Sequence, residues 1–123
     1  MTAINLSNLD QSLDKTSQYF DRSPYHNMLV ATAGSVTSDE LIIEDFRNFT
    51  FFVVCTNDGS STTSGTVYIE AQIKPGDAWL IADTTTLSGV DAIKQVSGPF
   101  YAFRARTVSV SAGVVDVTMR AQR

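Results

Sequence analysis

From His26 to the C-terminus the apolar residues of this chain recur with a period of two, in short runs. Across residues 66–74, Val67, Ile69, Ala71 and Ile73 alternate with Thr66, Tyr68, Glu70, Gln72 and Lys74. Across 114–121, Val115, Val117, Met119 and Ala121 alternate with Asp116, Thr118 and Arg120. Successive side chains of a strand point to opposite faces, so such runs make strands buried on one side, as in an antiparallel sheet. Turn-forming clusters separate the runs: Ala33-Gly34-Ser35, Asn57-Asp58-Gly59-Ser60-Ser61, Pro75-Gly76-Asp77, Ser88-Gly89, Ser97-Gly98-Pro99 and Ser111-Ala112-Gly113. The spacing predicts strands over about 27–33, 40–45, 48–56, 65–74, 78–83, 92–97, 100–110 and 114–121. The expected fold is all-β: an antiparallel β-sandwich or jelly roll of about eight strands, with an N-terminal arm or short helix.

The arm is residues 1–25 and the sandwich 26–123. The arm is polar, with scattered apolar positions at Ile4, Leu6, Leu9, Leu13 and Phe20. Leu6, Leu9 and Leu13 stand at helical spacing, and Ser7 or Asn8 suits an N-cap for a helix over about 8–20. An extended arm lying over another subunit is the competing reading, and Pro24 ends either form. The strand at 48–56 departs from simple alternation. Phe49, Phe51, Val53 and Cys55 form one face, yet Phe52 and Val54 make the other apolar too. That second face calls for a cover, from the arm, a loop or another subunit.

At 123 residues and 13.4 kDa the chain is one domain, able to bury about two thirds of its extended surface. With 43% hydrophobic and 18% charged residues it does not match a disordered tail or a coiled coil. No apolar run is long enough to span a membrane, and Met1-Thr2-Ala3-Ile4-Asn5 lacks the pattern of a signal peptide. Nine basic residues against thirteen acidic ones oppose a nucleic-acid partner. A single cysteine, Cys55, and a single histidine, His26, supply neither an internal disulfide nor a zinc ligand set. Cys55 reads as a small buried hydrophobe. The acidic group Asp39, Glu40, Glu44 and Asp45 reads as a solvated strand edge. Asn57-Asp58-Gly59 reads as a hairpin turn, because the later ligand positions of a calcium loop are missing. No phosphate-binding glycine loop and no Gly-x-Ser-x-Gly elbow occur. The expectation is a non-enzyme with no catalytic residues, metal or cofactor, and with neither nucleic acid nor membrane as partner.

Arg104 and Arg106 share one strand face, and Arg120 lies on the outward face of the next predicted strand. A hairpin across Ser111-Ala112-Gly113 would gather the three into a basic patch. Their readings are ion pairing within the sheet, with Asp116 or Glu70, or contact with an acidic partner surface. Trp79, Tyr68, Tyr101 and Phe103 are either core or a platform for sugar rings. Trp79, following Pro75-Gly76-Asp77-Ala78, is expected to fill the sandwich where a strand begins.

The stretch from Thr66 to Arg123 resembles small β-sandwich virion proteins of tailed bacteriophages, among them capsid decoration (cement), head-fibre and tail-associated proteins. The residues that carry the resemblance are Thr66-Val67-Tyr68-Ile69-Glu70, the turn leading to Trp79, Asp83-Thr84-Thr85-Thr86-Leu87, Gly98 to Arg106, and Val114-Val115-Asp116-Val117-Thr118. Where such proteins usually carry Asp-Gly before the tryptophan, this chain has Gly76-Asp77-Ala78-Trp79. The resemblance implies a capsid decoration protein that binds and stabilises an assembled shell, with the major capsid protein or other virion proteins as partners. It implies a homo-oligomer, a trimer above all, located on the capsid surface of the virion and assembled in the host cytoplasm. The candidate protein-interface residues are Leu6, Leu9, Leu13, Phe20, Phe52, Val54, Arg104, Arg106 and Arg120. The alternative is a carbohydrate-binding or host-adhesion module of a phage tail or fibre, which needs an exposed aromatic platform.

Overall fold

The computed structural model describes residues 4–5 and 25–123, and every regular element among them is a strand. In chain order these are β1 (Ile4–Asn5), β2 (Tyr25–Gly34), β3 (Leu41–Ile42), β4 (Asn48–Asn57), β5 (Ser64–Gln72), β6 (Leu80–Ser88), β7 (Ala92–Ser97) and β8 (Ala102–Gln122). β8 belongs to two sheets. Its first half lies between β3 and β5, giving the order β1-β3-β8-β5-β6. Its second half lies between β2 and β4, giving β2-β8-β4-β7. All these pairs are antiparallel except β1 with β3, which is parallel. The result is the expected all-β, sandwich-like fold, curled because one strand serves both layers.

The passage of β8 between sheets corrects the reading of Ser111-Ala112-Gly113 as a hairpin turn. The predicted strands 100–110 and 114–121 are one strand of 21 residues. Ser109 (φ 55°), Ala112 (φ 59°) and Gly113 (φ 141°) bend it without reversing it. Pairing with β5 ends at Ser64↔Ser111, and pairing with β4 begins at Asn57↔Gly113, so each half finds its partner in a different sheet. Gly113 is needed for this approach, because a Cβ there would collide with the Thr56 carbonyl oxygen and the Thr63 hydroxyl. Thr63 is buried at the elbow and donates its backbone N–H to Asn57 Oδ1 at 2.9 Å.

Two other boundaries differ from expectation. The predicted strand 40–45 shortens to Leu41–Ile42, because the chain turns when Phe46 N–H donates to the Ile43 carbonyl at 3.0 Å. The turn drives Ile43 and Phe46 into the core, both fully buried. The strand predicted at 78–83 instead runs from Leu80 to Ser88, and its threonine-rich part pairs with β5. β-branched threonines suit that pleated surface.

The core lies between the sheets. Phe49, Phe51 and Val53 of β4 and Val115, Val117 and Met119 of β8 face Val67 and Ile69 of β5 and Phe103 and Ala105 of β8. Phe103 meets Phe49 and Phe51 edge-on, with ring centroids 4.7 and 5.2 Å apart. Each such pair adds about 1 kcal/mol beyond area burial. Of the predicted arm, Ile4 and Asn5 form β1 beside β3. Leu6, Leu9, Leu13 and Phe20 lie outside the described residues, and with them the choice between helix and extended arm.

Candidate interaction surfaces

The first candidate surface is the outer face of β5, β6 and the first half of β8. Alternation turns Val67, Ile69 and Ala71 into the core and so turns Tyr68 and Glu70 outward. Register then sets Glu70 opposite Arg104, and Tyr68 opposite Arg106. Arg104 Nε donates to Glu70 Oε1 at 2.8 Å and Arg106 Nε to Glu70 Oε2 at 3.2 Å. The Arg104 guanidinium sits 4.4 Å from the centroid of the Trp79 ring, and that of Arg106 sits 4.5 Å from the Tyr68 ring. Trp79, Arg104, Glu70, Arg106 and Tyr68 thus form one connected row across the sheet. The Glu70 side chain is only 7% exposed, while the arginine side chains keep 25% and 33%. A buried carboxylate is tolerated only when its oxygens are paired, and both are paired here.

This geometry supplies an ion pair within the sheet and corrects two of the arginine readings. The intrasheet partner is Glu70, not Asp116, whose Oδ1 accepts from Ala31 N–H at 2.8 Å. Arg120 stands in the other sheet, opposite Tyr25 and Thr50, so no patch of three arginines forms. Trp79 is corrected as well. It is half-buried against Arg104 on the outside rather than packed in the sandwich. Phe103 is core, and Tyr101 is half-buried beside a shallow groove of about 250 Å³ shared with Glu44, Lys74 and Phe100.

The second surface is the outer face of β4 and β7. Phe52 lies between Thr118 of β8 and Ile93 of β7 in register, and Val54 follows it on the same side of β4. Phe52 is half-buried, Val54 is 40% exposed and Ile93 is 66% exposed. Val90, at the start of the turn into β7, is 68% exposed. The apolar second face expected at Phe52 and Val54 is therefore present, and none of the described residues encloses it.

Cys55 and His26 are not brought together. His26 pairs with Met119 and Cys55 with Val115, four positions apart along β8, or about 13 Å. Burial and then the nearby Asp91 carboxylate raise the Cys55 thiol above its usual pKa, which disfavours the thiolate. Burial lowers the His26 imidazole, with Asp39 opposing. Asp39, Glu44 and Asp45 are exposed around β3, and Glu40 is half-buried.

Pairing of the arginines with Glu70 is one of the two intrasheet readings that the sequence offers, whereas their stacking on Trp79 and Tyr68 is not among them. Tyr68 with Glu70, and Arg104 with Arg106, each stand two residues apart on one strand face. Only the long-range register places one pair opposite the other.

No family model matches the chain, and no curated protein matches it. Among solved structures it is similar to the SPBc2 prophage-derived protein YomS, with a TM-score of 0.62 and 14% identity over 81% of this chain and 93% of that one. It is also similar to the K2 cleaved adhesin domain of Lys-gingipain, with a TM-score of 0.55 and 9% identity over 82% of this chain and 72% of that one. The K1 adhesin domain of Lys-gingipain from Porphyromonas gingivalis W83 gives a TM-score of 0.50 and 15% identity, over 81% and 73% of the two chains. Identities this low speak for the fold alone: the chain shares its β architecture with a prophage-derived protein and with adhesin domains.

Proposed function

We propose that the chain is a structural protein of a phage particle, and within that class a decoration protein that binds an assembled capsid shell through protein–protein contacts. The observation that carries this reading is the apolar strip Phe52, Val54 and Ile93 on the outer face of β4 and β7. A strip of this kind, on a rigid two-sheet body, gains about 25 cal/mol for each Å² it buries against a neighbour. Copies joined through the strip meet a shell at several points at once, which makes a weak contact of each copy with the shell effective. The sequence resemblance from Thr66 to Arg123 and the shared fold with the prophage-derived YomS support the same class. In this reading the partners are the major capsid protein and further copies of the chain. Closed symmetry, a trimer, hides the strip between copies. The place of action is the capsid surface, after assembly in the host cytoplasm.

The test is co-sedimentation with particles purified from cells that carry the gene. The unaltered chain is expected to band with intact shells. A Val54→Asp, Ile93→Lys double variant with unchanged melting temperature is expected to stay in the unassembled fraction. Absence of the unaltered chain from particles would contradict the proposal. The carbohydrate-binding alternative ranks second. The shared fold with adhesin domains favours it, but a guanidinium already lies over the ring of Trp79 and over that of Tyr68.

A further inference from the structure

We propose that the outer face of β5 and the first half of β8 is a carboxylate-binding site, and that its occupant is an acidic segment of a protein partner. The identity of the occupant as protein rests on the structural-protein reading, whereas the chemistry of the site stands on the geometry alone. A guanidinium has five N–H donors in a rigid fork. Arg104 and Arg106 each use Nε to hold Glu70, and among the described residues their terminal Nη groups donate to no further acceptor. Two half-buried forks are thus fixed in place by one carboxylate and two aromatic rings, with donors left over. Fixed forks lose little conformational freedom on binding, and their geometry suits a carboxylate.

Charge points the same way. Two arginines and Glu70 carry a net charge of +1 on a chain whose formal net charge is −4, and a single carboxylate neutralises that excess. A doubly charged phosphate overshoots it. The surroundings favour a peptide over an acidic sugar. Ile81 lies opposite Glu70 in register, on the same face of the sheet, and is 54% exposed. An acidic side chain next to an apolar one fits a cluster with an exposed isoleucine beside it. A sugar ring would need open aromatic faces, where guanidinium groups already lie on Trp79 and Tyr68.

Trp79 is the only tryptophan, and Arg104 lies over its ring, so Trp79 emission reports directly on the site. The full chain is titrated with a blocked hexapeptide of alternating glutamate and leucine, with its glutamine counterpart, and with oligoglucuronate. The acidic peptide is expected to give a saturable change that weakens with added salt, and the glutamine peptide to bind at least about tenfold less tightly. Glu70→Gln removes the internal carboxylate and is expected to tighten binding several-fold, whereas Arg106→Gln is expected to weaken it about tenfold. A purely structural role would destabilise both variants without moving affinity in opposite directions. Should Arg106→Gln fail to fold, Glu70→Gln and the glutamine peptide still decide.

Equal binding of the two peptides, or no saturable change, would overturn the site. A response to oligoglucuronate alone would overturn the protein occupant in favour of an acidic glycan. Binding that appears only after Asp10→Asn and Asp14→Asn would assign the site to the chain's own N-terminal segment and overturn the partner. None of these outcomes touches the co-sedimentation test, whose variants lie on the other sheet, so the two proposals fail separately.

Discussion

The Glu70 side chain is 7% exposed, and a guanidinium reaches each of its carboxyl oxygens. The sequence alone shows which faces Glu70, Arg104 and Arg106 occupy, since alternation sets that locally. It does not show which acidic residue the arginines meet, because Glu70 and Asp116 both stand on outward faces and only register separates them. His26 carries a prediction at the same scale. Burial holds its imidazole below the ordinary value of 6.5, with Asp39 opposing in part. The unfolded chain therefore takes up a proton near 6.5 while the folded chain resists until lower pH. The stability that neutral His26 confers is full above about pH 6.5 and is lost as pH falls through its folded value. Urea midpoints measured between pH 7 and pH 5 are expected to fall less steeply for His26→Gln than for the unaltered chain. Equal slopes would remove His26 as a source of acid sensitivity.

Among the elements, β8 is the one whose role the sequence concealed. Period-two patterning is local, and it placed most of the strands within a few residues of their positions. Ser111-Ala112-Gly113 is also a local signal, but the same left-handed residues serve a hairpin or a bend. What decides between them is whether the two halves pair with each other or with β5 and β4, and that is settled by partners distant in sequence. β3 shows the reverse case, where packing of Ile43 and Phe46 overrides a run that reads as strand. The elbow predicts opposite outcomes at adjacent positions. Ala112 sits at φ 59°, a conformation that glycine adopts without strain, so Ala112→Gly is expected to raise stability by about 1 kcal/mol. Gly113→Ala drives a methyl group into the Thr56 carbonyl and Thr63 hydroxyl and is expected to lower stability by about 3 kcal/mol or more. Chemical denaturation checks both. A neutral Gly113→Ala would contradict the close approach of β4 to β8 at the elbow.

At the scale of the whole molecule, one bent strand supports two outer faces of different chemistry. The face of β5 and β8 is a charged row stacked on aromatic rings, and the face of β4 and β7 is an apolar strip. The sequence announced the second through Phe52 and Val54, since a strand with two apolar faces needs a cover on both. It did not announce Ile93, which joins the strip only because β7 pairs with β4 as the edge of the sheet. In the function proposed above, this strip is a contact surface between protein chains. Solution mass by light scattering after size exclusion tests this, on the unaltered 13.4 kDa chain and on Ile93→Lys. A closed oligomer, a trimer, is expected for the unaltered chain and a monomer for the variant. A monomeric mass for the unaltered chain at every concentration, or an oligomer that Ile93→Lys leaves intact, would contradict it.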